Sequence, residues 1–193
     1  MISHLNEYLE KTPKANRNPT TIAFLAQMEV LKEKAPVIAK NIQQELEDQR
    51  SSIKMIASEN YSSLAVQLAM ANCLTDKYAE GYVNHRFYAG CEHVDAIEKE
   101  ANDAAIKLFK ADYAYVQPHS GADANLVAFL ACLTKRVQPS LLSIFKKKNV
   151  NELTDDEFTL LRASFLNQKL MGLAMSSGGH LTHGYRLNVS SRL

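Results

Sequence analysis

The chain has 193 residues, 46% of them hydrophobic and 22% charged, and 22 basic side chains against 21 acidic ones leave a formal net charge of +1. That is enough chain for one domain or a large part of a bigger one, and a charge so close to zero supplies no long-range field for nucleic acid or an acidic membrane. Three scattered cysteines, Cys73, Cys91 and Cys132, lack metal-ligand spacing and read as small buried hydrophobes in a reducing compartment. The polar start, residues 1–7, predicts no secretory signal, and no apolar run approaches the ~20 residues of a membrane helix. The expectation is a soluble, cytoplasmic protein.

Asn18-Pro19 predicts a helix start, with Asn18 as N-cap and Pro19 in the first position, running to about Lys34 with Ile22, Leu25, Met28 and Leu31 on one side. Pro36 opens a second helix, in which Ile38, Ile42 and Leu46 recur every four residues. The pair reads as a packing or subunit-contact arm. Residues 53–61 carry no stripe and read as an ordered loop. A third helix is expected from about Ser63, with Leu64, Leu68, Ala71 and Leu74, and residues 77–90 are again irregular. Val94, Ile97, Ala101, Ala105 and Leu108 predict an amphipathic helix from about residue 94 to 109. Residues 113–116 form a strand candidate, and a helix follows from Gly121 to about Leu133. Residues 134–169 read as an inserted surface hairpin. Pro139-Ser140 starts one short helix there, and Thr154 with Glu157 forms a capping box for another that carries Phe158, Leu161 and Phe165. Residues 171–175 predict a buried strand. Helices alternating with short apolar strands imply an α/β layer architecture.

Three stretches carry residues suited to chemistry. At residues 115–125 a strand passes through Pro118-His119-Ser120-Gly121 into a helix, exposing the first backbone N–H groups to an anion. Ser120 adds a hydroxyl and Gly121 permits close approach, so the junction reads either as a phosphate cradle or as a simply capped helix. At residues 176–184, His180 and His183 sit among glycines. Their spacing could suit a metal, but no third ligand is evident, and a His beyond a strand end is also placed to stack on a flat ligand. Residues 77–90 gather Tyr78, Glu80, Tyr82 and Tyr88 in a Gly-punctuated loop. Glu80 is either a solvated charge or, if buried beside a ligand, a proton donor near neutral pH.

Read together, Ile-Ala-Ser-Glu-Asn-Tyr at 56–61, Lys-Tyr-Ala-Glu-Gly-Tyr at 77–82, Gln-Pro-His-Ser-Gly at 117–121 and Gly-Gly-His-Leu-Thr-His-Gly at 178–184 resemble serine hydroxymethyltransferase, in that family's order. The resemblance runs from about residue 53 to residue 184. It implies the N-terminal portion of the pyridoxal-phosphate-dependent aspartate-aminotransferase-like α/β fold: a helical arm with active-site loops over residues 1–85, then the start of the large mixed-sheet domain over residues 86–193. It implies a homodimer with shared active sites, pyridoxal 5'-phosphate as cofactor, and one-carbon transfer between serine and tetrahydrofolate yielding glycine.

Carried over by motif, Ser120, Gly121 and Ala122 would hold the cofactor phosphate, with Tyr78 reaching it from the other subunit. His180 would stack on the pyridine ring. Ser58 and Tyr88 would contact the amino acid, Glu80 would manage a proton at the serine hydroxyl or the folate-bound carbon, and Met175, Gly179, His180 and Leu181 would lie against folate. Ser177 stands where the family has His, Phe87 where Tyr is common, and Met175 where Leu is usual. The Schiff-base lysine, the acidic partner of the pyridine nitrogen and the carboxylate-binding Arg would lie beyond residue 193. The chain alone is therefore expected to be inactive, with Lys54 and Lys77 the only candidates for stray reaction with the cofactor. The rivals are another pyridoxal-phosphate lyase or aminotransferase, against which residues 78–82 speak, and a non-catalytic relic that acts only through subunit association.

Overall fold

Asn18 and Pro19 start a helix as their chemistry dictates: the Asn18 side chain accepts the Thr20 N–H at 2.8 Å, and α2 runs over Pro19–Lys34. In this computed structural model, residues 3–188 and 191 are described. They fall into two units, one of residues up to 81 with 86–89 and the other of residues 82–85 and from 90 onward.

In the first unit a short helix, α1 (His4–Lys11), precedes α2 and is capped by Ser3. It was not expected, since eight residues show too little periodicity. Its ends are tied down by side chains. Glu29 of α2 accepts from the Ser3 hydroxyl and from the Leu5 N–H at 3.0 Å, while Arg17 donates to the carbonyls of Leu9 at 2.6 Å and Thr12 at 3.0 Å. Only Ala35 separates α2 from α3 (Pro36–Ser51), and the two helices pack together with Met28 and Ala39 buried. The expected α3 stripe is not the buried face: Ile38 is 55% exposed, Ile42 37%, and Leu46 only half-buried. Ala39, the smallest side chain on the helix, makes the close approach instead.

Residues 52–63 form the expected loop, and α4 (Leu64–Met70) begins with Ser63 as its cap. It stops one turn early because Asn72 competes for the backbone. Its amide donates to the Ala69 carbonyl at 2.6 Å, and its side-chain oxygen accepts from the Leu74 N–H at 2.8 Å, starting a 3-10 turn over Cys73–Asp76. A hairpin of β1 (Gly81–Tyr82) and β2 (His85–Arg86) then appears where an irregular stretch was expected; Asn84 turns it at φ 61.

In the second unit α5 spans Glu92–Phe109 as predicted, yet Ile97 and Leu108 of its expected stripe are exposed. Residues 113–116 form no strand, and Tyr113 is 90% exposed. A strand is a paired object, and no described segment pairs with it. Ser120 starts α6, which runs on from Gly121 to Phe145, well past the expected end and through Pro139. Proline there removes one helical hydrogen bond. The burial of Leu133 and Val137, on a helix packed against α7 (Asp155–Leu166), outweighs that loss. The Thr154 capping box on α7 forms as predicted, with Leu161 buried. Residues 171–175 are likewise not a strand. They lead into a 3-10 turn over Met175–Ser177 and a one-turn helix, α8 (Leu181–Gly184).

Both units leave large apolar side chains uncovered, the two missing strands among them.

Candidate active site

The cradle is built by the cap of α6. Ser120 sits in extended backbone, its Oγ accepts the Asp123 N–H at 3.1 Å, and its carbonyl accepts that of Ala124 at 3.0 Å. That leaves the N–H groups of Gly121 and Ala122 without a hydrogen-bond partner among the described residues. A β-carbon added at Gly121 would meet nothing within 4 Å, so the fold does not crowd that residue. The approach to the cradle is held by side chains in place of a sheet. Gln117 donates to Glu98 of α5 at 2.9 Å and accepts from the Tyr115 hydroxyl at 3.0 Å. Two free N–H groups, a hydroxyl and the positive end of a 25-residue helix suit a phosphate.

The Gly-His loop of the same unit is tightly turned. Gly178 takes φ 85, and a β-carbon on Gly179 would lie 2.0 Å from the Leu173 carbonyl oxygen. The exposed His180 caps α8: its Nδ1 accepts the Thr182 N–H at 3.1 Å and lies 2.8 Å from the Thr182 hydroxyl, which is buried. The rings of His180 and His183 are 6.2 Å apart. No trio of His, Cys, Asp or Glu converges among the described residues. Met175 and Leu181 are exposed. The open cleft here is lined by Phe129, Met171, Leu173 and His183, not by Ser120 or His180.

In the first unit the Tyr78 and Tyr88 rings meet edge to face, with centroids 5.6 Å apart. Arg86 donates to the carbonyls of Ala79 at 2.8 Å and Gly81 at 3.0 Å, and the Phe87 N–H donates to the Glu80 carbonyl at 3.0 Å. Tyr78, Glu80 and Tyr88 are thus brought onto one clamped turn, with the Glu80 side chain exposed. Ser58 lies apart from them in sequence, on the exposed loop of residues 52–63. Lys54 fastens that loop, 3.3 Å from Glu45 of α3 and 3.1 Å from Glu59. The hydrogen bond to Glu59, reinforced by Glu45, holds the Lys54 ammonium above its ordinary pKa. Sequence reasoning did not assign the supporting roles of Arg86, Thr182, Gln117 and Glu98. Each depends on where a side chain folds back.

The family model for serine hydroxymethyltransferase matches residues 31–144, more than half of the chain, taking in the first three motifs. The chain belongs to the serine hydroxymethyltransferase family. A serine hydroxymethyltransferase of Treponema pallidum is 53% identical over 191 residues, covering 99% of this chain and 33% of the relative. That of Chlamydia pneumoniae is 53% identical over 195 residues, 100% of this chain and 39% of the relative. One from Mycolicibacterium smegmatis is 50% identical over 171 residues, 89% of this chain and 35% of the relative. The chain therefore spans between a third and two fifths of the length of these curated relatives. The serine hydroxymethyltransferase motif at residues 178–184 lies outside the family-model match. Among the described residues no helix is long and apolar enough to cross a membrane.

Proposed function

We propose that this chain supplies the N-terminal part of a serine hydroxymethyltransferase: the helical arm and active-site loops over residues 1–85, then the beginning of the large cofactor-binding domain over residues 86–193, with an inserted helical segment over about residues 134–169. The enzyme interconverts serine and glycine and passes a one-carbon unit to tetrahydrofolate, as a cytoplasmic homodimer. The observation that carries the reading is the pair of N–H groups of Gly121 and Ala122 left without a partner among the described residues, beside an uncrowded Gly121, on a chain of this family.

When bound, pyridoxal phosphate supplies the protonated pyridine that accepts electrons as the Cα–Cβ bond of serine breaks. The chain's own residues bind and orient. The Ser120 hydroxyl and the N–H groups of Gly121 and Ala122 hold the phosphate, and Tyr78 serves the phosphate of the other subunit. His180 would stack on the pyridine ring. Ser58 and Tyr88 orient the amino acid, and Glu80 holds or moves the proton at the serine hydroxyl oxygen. Met175, Gly179, His180 and Leu181 would lie against folate.

The test uses the complete enzyme that carries this chain. Gly121→Asp puts a carboxylate into the cradle, so pyridoxal phosphate affinity, read by absorbance titration, should collapse while the apo enzyme melts as before. Unchanged affinity would remove the cradle from the cofactor site.

A further inference from the structure

The ring of His180 meets a donor it cannot choose. A backbone N–H has no acceptor capacity, and the Thr182 N–H points at Nδ1 across 3.1 Å. Nδ1 must therefore be the bare nitrogen of the neutral ring, with the proton on Nε2. The Thr182 hydroxyl, 2.8 Å from the same nitrogen, then has one role towards the ring, that of a second donor. Thr182 is 3% exposed, whereas His180 is exposed, so the residue that sets the ring is fixed in the fold and the ring it sets is open to a ligand.

We propose that Thr182 is a positioning residue for His180: before any cofactor binds, it presets the imidazole as the Nε2–H tautomer and fixes the plane of the ring. Both contacts lie at the ring's edge, so they leave its faces free. A flat ligand then stacks on a ring that loses little rotational freedom on binding, which is the advantage of preorganisation. The Nε2–H is left as a donor of known direction. The consequence for cofactor affinity rests on the reading that His180 faces pyridoxal phosphate; the tautomer assignment does not.

The experiment takes the complete enzyme with nitrogen-15-labelled histidine. In the apo wild type, the His180 ring should show an unprotonated Nδ1 and a protonated Nε2 near neutral pH. Thr182→Val removes the hydroxyl and keeps the shape, so the Nδ1–H tautomer should gain about five- to tenfold in population, the worth of one hydrogen bond. The Kd for pyridoxal phosphate should rise by a similar factor, and Thr182→Ser should restore both. A protonated Nδ1 in the wild type would overturn the proposal even if Thr182→Val failed to fold, and so would a Thr182→Val ring indistinguishable from wild type. A shifted tautomer with unchanged cofactor affinity would support the control exerted by Thr182 and overturn the contact between His180 and the cofactor.

Discussion

Gly179 lies so close to Leu173 that a β-carbon on it would stand 2.0 Å from the Leu173 carbonyl oxygen, a distance no side chain tolerates. The obstacle is backbone, so Gly179→Ala must open the turn that carries His180. The expected cost is about 1–3 kcal/mol, the range for forced overpacking. Gly121→Ala, where the added carbon meets nothing, should leave folding stability unchanged or slightly raised, by up to ~1 kcal/mol. Denaturant melts of the two variants in the complete enzyme check the contrast, and equal destabilisation by both would refute it.

Acid should release α1 before it unfolds the rest of the first unit. The Ser3 hydroxyl, then the Leu5 N–H, hold the Glu29 carboxyl below the ordinary glutamate value. A group whose folded pKa is depressed contributes stability above its unfolded pKa, about 4.3, and loses it as pH falls through the folded value. Protection of α1 amides should thus persist at neutral pH and fade below about pH 4. Glu29→Gln should flatten that dependence. Amide hydrogen exchange across the acid range measures both, and an α1 as protected at pH 3 as at pH 7 would count against the docking role.

How much of this was legible in the sequence follows from how local each signal is. Asn18 and Thr154 cap helices as expected, Ser120 caps α6 as one of its two readings has it, and Ser63 caps the helix expected to begin near it, because a cap is decided within three residues. The strands at 113–116 and 171–175 did not form, because pairing is decided by a distant neighbour and none among the described residues supplies it. A local rule makes Pro139 a helix boundary, and the burial of Leu133 and Val137 overrides it. At the candidate site, the cradle's backbone could be anticipated from Ser120-Gly121. The grip of Thr182 on His180 could not, since it depends on the turn that brings the ring back over α8.

The same override makes a stability prediction for the hairpin of α6 and α7. Pro139→Ala restores a helical N–H and removes the ring from a helix interior, where proline is about 3 kcal/mol worse than alanine. Part of that cost is already relaxed in the fold, so a gain of about 1–2 kcal/mol is expected. Thr154→Ala strips the capping box and should cost about 1 kcal/mol. Thermal melts of the single and double variants should show the two effects adding. A destabilising Pro139→Ala would mean the proline kink itself is required for packing against α7.

Glu80 separates acid–base work from mere solvation. In the complete enzyme, Glu80→Gln keeps the shape of the side chain and its position on the turn clamped by Arg86. Folate-dependent turnover should fall by ~10²–10⁴-fold, the usual cost of a lost proton-transfer group, while pyridoxal phosphate binding persists. Steady-state kinetics beside a cofactor titration decide it. Unchanged turnover would reduce Glu80 to an exposed charge.

The polypeptide of these 193 residues, made as such, should produce no glycine from serine and tetrahydrofolate. Covalent capture of pyridoxal phosphate needs a neutral amine, and an ordinary lysine near pKa ~10.4 is mostly protonated at neutral pH unless its site desolvates it. Lys54, one of two lysines beside the motif loops, goes the wrong way: shared between Glu59 and Glu45, its pKa is raised, and its neutral fraction is smaller than that of a free lysine. Lys77, the other, is exposed beside Tyr78. Mixing the purified polypeptide with pyridoxal phosphate, trapping with borohydride and mapping adducts by mass spectrometry should therefore give sparse labelling spread over surface lysines, with Lys54 among the least labelled. Breaking the clamp by Glu45→Gln together with Glu59→Gln should raise labelling at Lys54 without creating turnover. Stoichiometric labelling of one lysine in the unmodified polypeptide, accompanied by glycine formation, would show that these residues hold a complete catalytic apparatus after all.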